Sequence, residues 1–146
     1  MSATKPSAGT KVRASETLSE SARTILVADD SRTVLRLIER TLRDVGYRVV
    51  VADDGRKAVD LALEVKPDLI ILDINMPELD GYGVCHELLA SNSWNGKTPV
   101  IFLTSSDAPH LETLGHQLGA FLSKPTEPDL LLDTIASLLR RHVRTA

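Results

Sequence analysis

The sequence predicts an α/β domain: a parallel sheet of five strands with helices packed on both faces. Three observations predict it. Five short apolar runs recur along the chain without polar alternation, as strands covered on both faces require. Stripes at helical spacing fill the gaps between these runs and follow the last one. Acidic, hydroxyl or lysine residues stand just after several runs, where folds of this class carry their sites.

Each element has its own signal. Residues 1–22 hold five Ser, three Thr and only two large aliphatics, Val12 and Leu18. Such a segment cannot bury enough apolar area to offset its ordering entropy, so a flexible polar tail is expected, with the domain over 23–146. Strand one is Ile25 to Ala28. The first helix carries the stripe Val34, Leu37, Ile38, Thr41, Leu42 and Val45, stopped by Gly46 as a left-handed cap residue would stop it. Arg48 to Ala52 is strand two; Ala58, Leu61, Ala62 and Val65 mark a second helix, closed by Pro67. Leu69 to Leu72 is strand three, and Val84, Leu88 and Leu89 mark a third helix with Cys85 on its inner side. A turn-rich stretch, residues 92–96 with the single Trp94, precedes strand four, Val100 to Leu103. Leu111, Leu114 and Leu118 suggest a fourth helix, stopped by Gly119; Ala120 to Leu122 is strand five. Leu131, Ile135, Leu138 and Leu139 give a fifth helix, with Pro128 in its first turn. Arg140, Arg141 and Arg144 complement its dipole.

Composition excludes several classes of function. A chain of 146 residues, 42% apolar and 25% charged, is one globular domain large enough to need no disulfide or metal for its core. No apolar run exceeds four residues, which leaves no membrane helix and no secretory signal. A net charge of −3 offers no excess of cations to phosphates, so nucleic acid is not expected as a partner. The single Cys85 fits a reducing compartment, hence the cytoplasm. His86, His110, His116 and His142 are scattered without metal-ligand spacing and read as surface residues.

The chemistry is concentrated at the strand ends. Strand one gives Asp29 and Asp30, strand three Asp73, strand four Thr104, and strand five Lys124-Pro125. Taken singly, each has a plain reading. Asp29-Asp30-Ser31 suits a helix cap, and Asp73 suits a strand-ending turn. Taken together, three carboxylates on one rim repel unless a cation joins them. All-oxygen donors suit Mg²⁺, and no His or Cys is present to favour zinc. Mg²⁺ and Lys124 together would stabilise a transferring phosphoryl group, with one carboxylate as the nucleophile.

The segments Ile25-Leu26-Val27-Ala28-Asp29-Asp30-Ser31, Leu72-Asp73-Ile74-Asn75-Met76-Pro77, Leu103-Thr104-Ser105 and Ser123-Lys124-Pro125 resemble the receiver domains of two-component response regulators. The resemblance spans about residues 23 to 143. It implies a flavodoxin-like (βα)5 doubly wound fold with strand order 2-1-3-4-5. It also implies that Asp73 accepts the phosphoryl group from a histidine kinase or a histidine phosphotransfer protein. Asp30, Asp73 and the Asn75 carbonyl would hold Mg²⁺, with Asp29 acting mainly through water. Thr104 and Lys124 would pair with phosphoryl oxygens, Pro125 would follow a cis bond, and Phe121 would be the switch aromatic. The output would be a phosphorylation-dependent contact with a downstream protein, through the face of the last two helices and strand five. A monomer or weak dimer is expected.

The sequence departs from the family at three places. Gly119-Ala120 runs straight into Phe121, where two more residues are usual; Thr126 follows Pro125 in place of a Phe or Tyr; and Trp94 lies in the loop before strand four. Asn75 and Ser106 occupy positions that tune hydrolysis in the family. The chain ends soon after the fifth predicted helix, so a stand-alone module is expected. It would catalyse its own phosphorylation and dephosphorylation without being an enzyme for an external substrate. Two alternatives are a pseudo-receiver that works without phosphate and a phosphohydrolase of the haloacid-dehalogenase type. The latter needs a second Asp as general acid where Asn75 stands, and the former usually lacks acidic or lysine positions kept here.

Overall fold

Five short strands pair in parallel throughout the computed structural model, which describes residues 23–94, 96–105 and 119–144. The elements alternate in chain order as far as β4. β1 (Thr24–Ala28) is followed by α1 (Arg32–Asp44), β2 (Arg48–Ala52), α2 (Gly55–Val65) and β3 (Leu69–Asp73). Next come α3 (Gly81–Ala90), β4 (Val100–Thr104), β5 (Gly119–Ser123) and α4 (Pro128–Arg144). The sheet order is β2-β1-β3-β4-β5, so the chain reverses its direction of travel across the sheet between β1 and β3. A crevice opens at that point, beyond the carboxyl ends of the strands. The tail over 1–22 and the helix expected around Leu111, Leu114 and Leu118 lie outside the described residues, as do Ser106, His110 and His116.

Period two along each strand divides the interior into two cores. Ile25, Val27, Leu69, Ile71, Ile101 and Leu103 face α1 and α4 and pack with Leu42, Leu131, Ile135 and Leu138. Leu26, Ala28, Ile70, Leu72, Val100 and Phe102 face α2 and α3 and pack with Ala58, Ala62, Val84 and Leu88. β3 and β4 are buried along their whole length, so their unalternating sequences have a direct cause. β2 differs. It is an edge strand, and its Arg48 and Val51 are exposed while Val49 and Ala52 are buried.

The helix ends follow their sequence signals. Ser31, Asp54 and Asp80 cap α1, α2 and α3, each accepting a backbone N–H three residues on. Gly46 has φ 102° and closes α1, with Gly46 N–H donating to Arg43 O and Tyr47 N–H to Leu42 O. α2 stops at Lys66, in the left-handed region, before Pro67. The core stripe of α1 needs a correction. Leu35, Ile38 and Leu42 are buried with Val34 against them, whereas Leu37 is 60% and Val45 48% exposed. Leu37 lies about 200° round the helix from Leu35, so both cannot face one core. In α4 the expected stripe, Leu131, Ile135, Leu138 and Leu139, is buried throughout.

Candidate functional site

Four strand ends converge at the crevice. β1 runs into Asp29, which is fully buried, and then Asp30, which is exposed. The Asp29 N–H donates to Ala52 O at 3.1 Å, prolonging the β1–β2 ladder by one residue. Asp29 Oδ1 accepts the Ser31 N–H at 2.8 Å, so this carboxylate is aimed by the turn that starts α1. Asp73 is the last residue of β3 and is 4% exposed. Thr104 is the last residue of β4 and is buried as well. Its carbonyl accepts the Lys124 N–H at 2.8 Å, one step past the Thr104–Ser123 register pair. That backbone bond sets Lys124 at the rim, and the Lys124–Pro125 peptide that follows is cis.

The side chains then meet. Lys124 Nζ lies 2.7 Å from Asp29 Oδ2 and 3.3 Å from Asp73 Oδ1. Asp29, Asp30 and Asp73 each offer a carboxylate oxygen, all within 4.8 Å of one another. When ionised, these carboxylates outnumber the one ammonium by two charges. Burial, and then the neighbouring Asp29 charge, push the Asp73 pKa up, against the opposing pull of Lys124 and the Asn75 N–H. Burial draws the Lys124 ammonium down, but its hydrogen bond to Asp29 and the charges of Asp29 and Asp73 outweigh this and raise it. An all-oxygen donor set with surplus negative charge fits a hard divalent cation such as Mg²⁺. It does not fit zinc, and the one cysteine, Cys85, is buried in α3 with its thiol pushed up to about 12 by burial.

The remaining expected residues sit around this centre. Asn75 is exposed, two residues beyond Asp73, in the loop that leads to α3. Phe121 is half-buried on β5, on the same sheet face as Thr104 by register. Its ring stacks on Phe102 with centroids 5.1 Å apart, and Phe102 contacts Tyr82 of α3 at 5.4 Å. Gly119 and Ala120 pair with Val100 and Ile101, so the strand itself takes up the two residues that lead into Phe121. Sequence reasoning assigned no role to Phe102, Tyr82, Gly55 or Leu79, which pack around β3 and the loop after it. Two aromatics at corresponding places in the fourth and fifth apolar runs were the available signal.

Comparison with known proteins agrees with this geometry. The family model described as the response regulator receiver domain matches residues 25–136. The "Probable transcriptional regulator ycf27" of Guillardia theta is 38% identical over 124 residues, covering 84% of this chain and 47% of the relative. Response regulator MprA of Mycolicibacterium vanbaalenii is 40% identical over 119 residues, 80% of this chain and 50% of the relative. The chain thus spans about half the length of these curated relatives. Among solved structures, the Vibrio cholerae chemotaxis protein CheY4 superimposes with a TM-score of 0.72 at 33% identity, covering 80% of this chain and 98% of that one. Among the described residues no helix is long and apolar enough to cross a membrane. Fold, strand order and sequence lead to one conclusion: the chain belongs to the response regulator receiver domain family.

Proposed function

We propose that Asp73 accepts a phosphoryl group from the phosphohistidine of a histidine kinase or phosphotransfer protein in a Mg²⁺-dependent reaction. The observation that carries this reading is the buried Asp73 carboxylate held beside Lys124, with Asp29 and Asp30 within 4.8 Å. In the reaction an Asp73 oxygen attacks phosphorus, a P–O bond forms, and the P–N bond to the donor histidine breaks. The product is an acyl phosphate on Asp73 and a neutral imidazole once the donor nitrogen regains its proton. Asp29, Asp30, Asp73 and the Asn75 carbonyl would hold Mg²⁺, which supplies positive charge to the phosphoryl oxygens when bound. Lys124 pairs with one phosphoryl oxygen, which requires its ammonium to leave Asp29 or to share it. The Thr104 hydroxyl donates to another oxygen. The strand ends bring both donors to the acceptor, and the shift of the Lys124 ammonium from Asp29 is the rearrangement that transfer requires.

The new charge then biases the packing of Thr104 and Phe121 and, through them, the face built by β5 and α4. Recognition of that face by a partner protein in the cytoplasm is the output. The test is intact-mass spectrometry after incubation with acetyl phosphate, with and without Mg²⁺, on wild type and Asp73→Asn. One phosphoryl adduct that requires both Mg²⁺ and Asp73 is expected. An equal adduct on the Asn variant would refute the assignment of the acceptor. If hydrolysis outruns detection, beryllofluoride binding replaces the adduct as the readout.

A further inference from the structure

The loop of residues 74–80 leaves the acceptor Asp73 and returns at the start of α3, where Gly81 N–H donates to Ile74 O at 2.9 Å. Within it, Leu79 N–H donates to Pro77 O at 2.7 Å across Glu78, whose φ is 70°. A left-handed glutamate in so tight a turn persists only where its surroundings hold it. The hold comes from α2. Gly55, buried as the first residue of that helix, donates its N–H to the same Pro77 carbonyl at 3.4 Å. A Cβ on Gly55 would overlap the Leu79 carbonyl oxygen and stand 2.6 Å from its carbon and 2.7 Å from Leu79 Cβ. Beyond the backbone, the Leu79 side chain lies over Gly83 of α3 and packs on the second core. Leu79 is therefore keyed between two bare backbones, one from each flanking helix.

We infer that Gly55 is a positioning residue for cation binding and phosphoryl acceptance: its bare Cα is the seat that fixes the acceptor loop through Leu79. The inference rests on the reading of Asp73 and its neighbours given above. Asp73 and Asn75 bracket the start of this loop, and any side chain at residue 55 meets backbone, which cannot rotate away. Gly83 makes a graded comparison, because a Cβ there meets Leu79 Cδ1 at 2.5 Å, the movable end of a side chain.

The experiment is calorimetric titration of the whole chain with Mg²⁺, with no phosphodonor present, alongside phosphorylation by acetyl phosphate over a range of Mg²⁺ concentrations. Gly55→Ala should weaken Mg²⁺ binding by about tenfold or more, as loss of support around a metal site does. Its phosphorylation should slow at low Mg²⁺ and recover as Mg²⁺ rises. Ala58→Gly, buried one turn further along α2, lowers helix stability while leaving the Gly55 seat bare and should stay within about twofold of wild type. Gly83→Ala should fall between the two. Leu79→Ala keeps the atoms that meet Gly55 but frees the loop from Gly83 and the second core, and should weaken Mg²⁺ binding in the same sense, which keeps the test decisive if Gly55→Ala does not fold. Mg²⁺ affinity within about twofold of wild type in both Gly55→Ala and Leu79→Ala would overturn the positioning role. A wild type that neither binds Mg²⁺ nor takes phosphate would overturn instead the reading of the site on which this role rests.

Discussion

Lys124 Nζ stands 2.7 Å from Asp29 Oδ2 and 3.3 Å from Asp73 Oδ1, so the ammonium brought by β5 is held more closely by Asp29. Asp29 is fully buried, and its other oxygen is taken by the Ser31 N–H. Each partner thus offsets part of the cost of burying the other's charge.

Replacing Lys124 with Met strands that buried carboxylate. The variant should lose about 3 kcal/mol of stability in urea unfolding at neutral pH. Adding Asp29→Asn should restore much of the loss, because no charge then remains unpaired at that position. A Lys124→Met protein as stable as wild type would show that the pair contributes nothing. The raised lysine pKa gives the pH window: its stabilisation is fully present below the unfolded lysine's value and fades as pH rises through the higher folded one.

For Asp73 it is the charged form that the fold disfavours. Burial, and then the Asp29 charge, raise its folded pKa above the unfolded value, so the folded state binds more protons between the two. Stability therefore falls as pH rises through that window, and the metal-free protein bears the full penalty once pH exceeds the folded value. Asp73→Asn should raise the Tm in EDTA at pH 7 and should flatten the acid side of the stability profile. Mg²⁺ should stabilise wild type and have much less effect on the variant. Thermal unfolding in EDTA and in Mg²⁺ checks both expectations.

Lys66 closes α2 with φ 53° and ψ 66°, a conformation that strains any side chain with a Cβ. Lys66→Gly should stabilise the fold by about 0.5–1 kcal/mol, since glycine adopts this region freely. The site at the far rim is untouched, so the rate of phosphorylation by acetyl phosphate should not change. A loss of stability on chemical unfolding would contradict this account of the helix end.

The two leucines of α1 separate a core position from a surface one. Leu35→Ala should cost about 2–4 kcal/mol by the cavity it leaves. Leu37→Ala should stay within about 0.5 kcal/mol, because that side chain is 60% exposed. Paired urea titrations of the two variants measure the difference directly. Equal losses would reinstate the stripe read from sequence.

Leu35 and Leu37 also mark where sequence reading reaches its limit. The helix itself was legible, because Ser31 caps it, Gly46 ends it and apolar residues recur along it. The side that faces the sheet was not, since Val34, Leu35, Leu37 and Ile38 offer two overlapping arcs and only the neighbouring β-strands choose between them. β2 shows the same limit: its apolar run resembles that of β3, yet only its place at the sheet edge leaves Val51 exposed.

The candidate site divides along the same line. Asp29, Asp30, Asp73, Thr104 and Lys124 were legible because each stands within two residues of the end of an apolar run, and parallel strands bring all such ends to one rim. Caps, breakers and runs are local signals, written in residues a few positions apart. Tertiary structure alone decided that Lys124 lies nearer Asp29 than Asp73, that Phe121 stacks on Phe102, and that Gly55 seats Leu79. These pairs join residues far apart in the chain. Contacts at such separations leave no period in the sequence, and they appear only when the sheet has fixed which elements are neighbours.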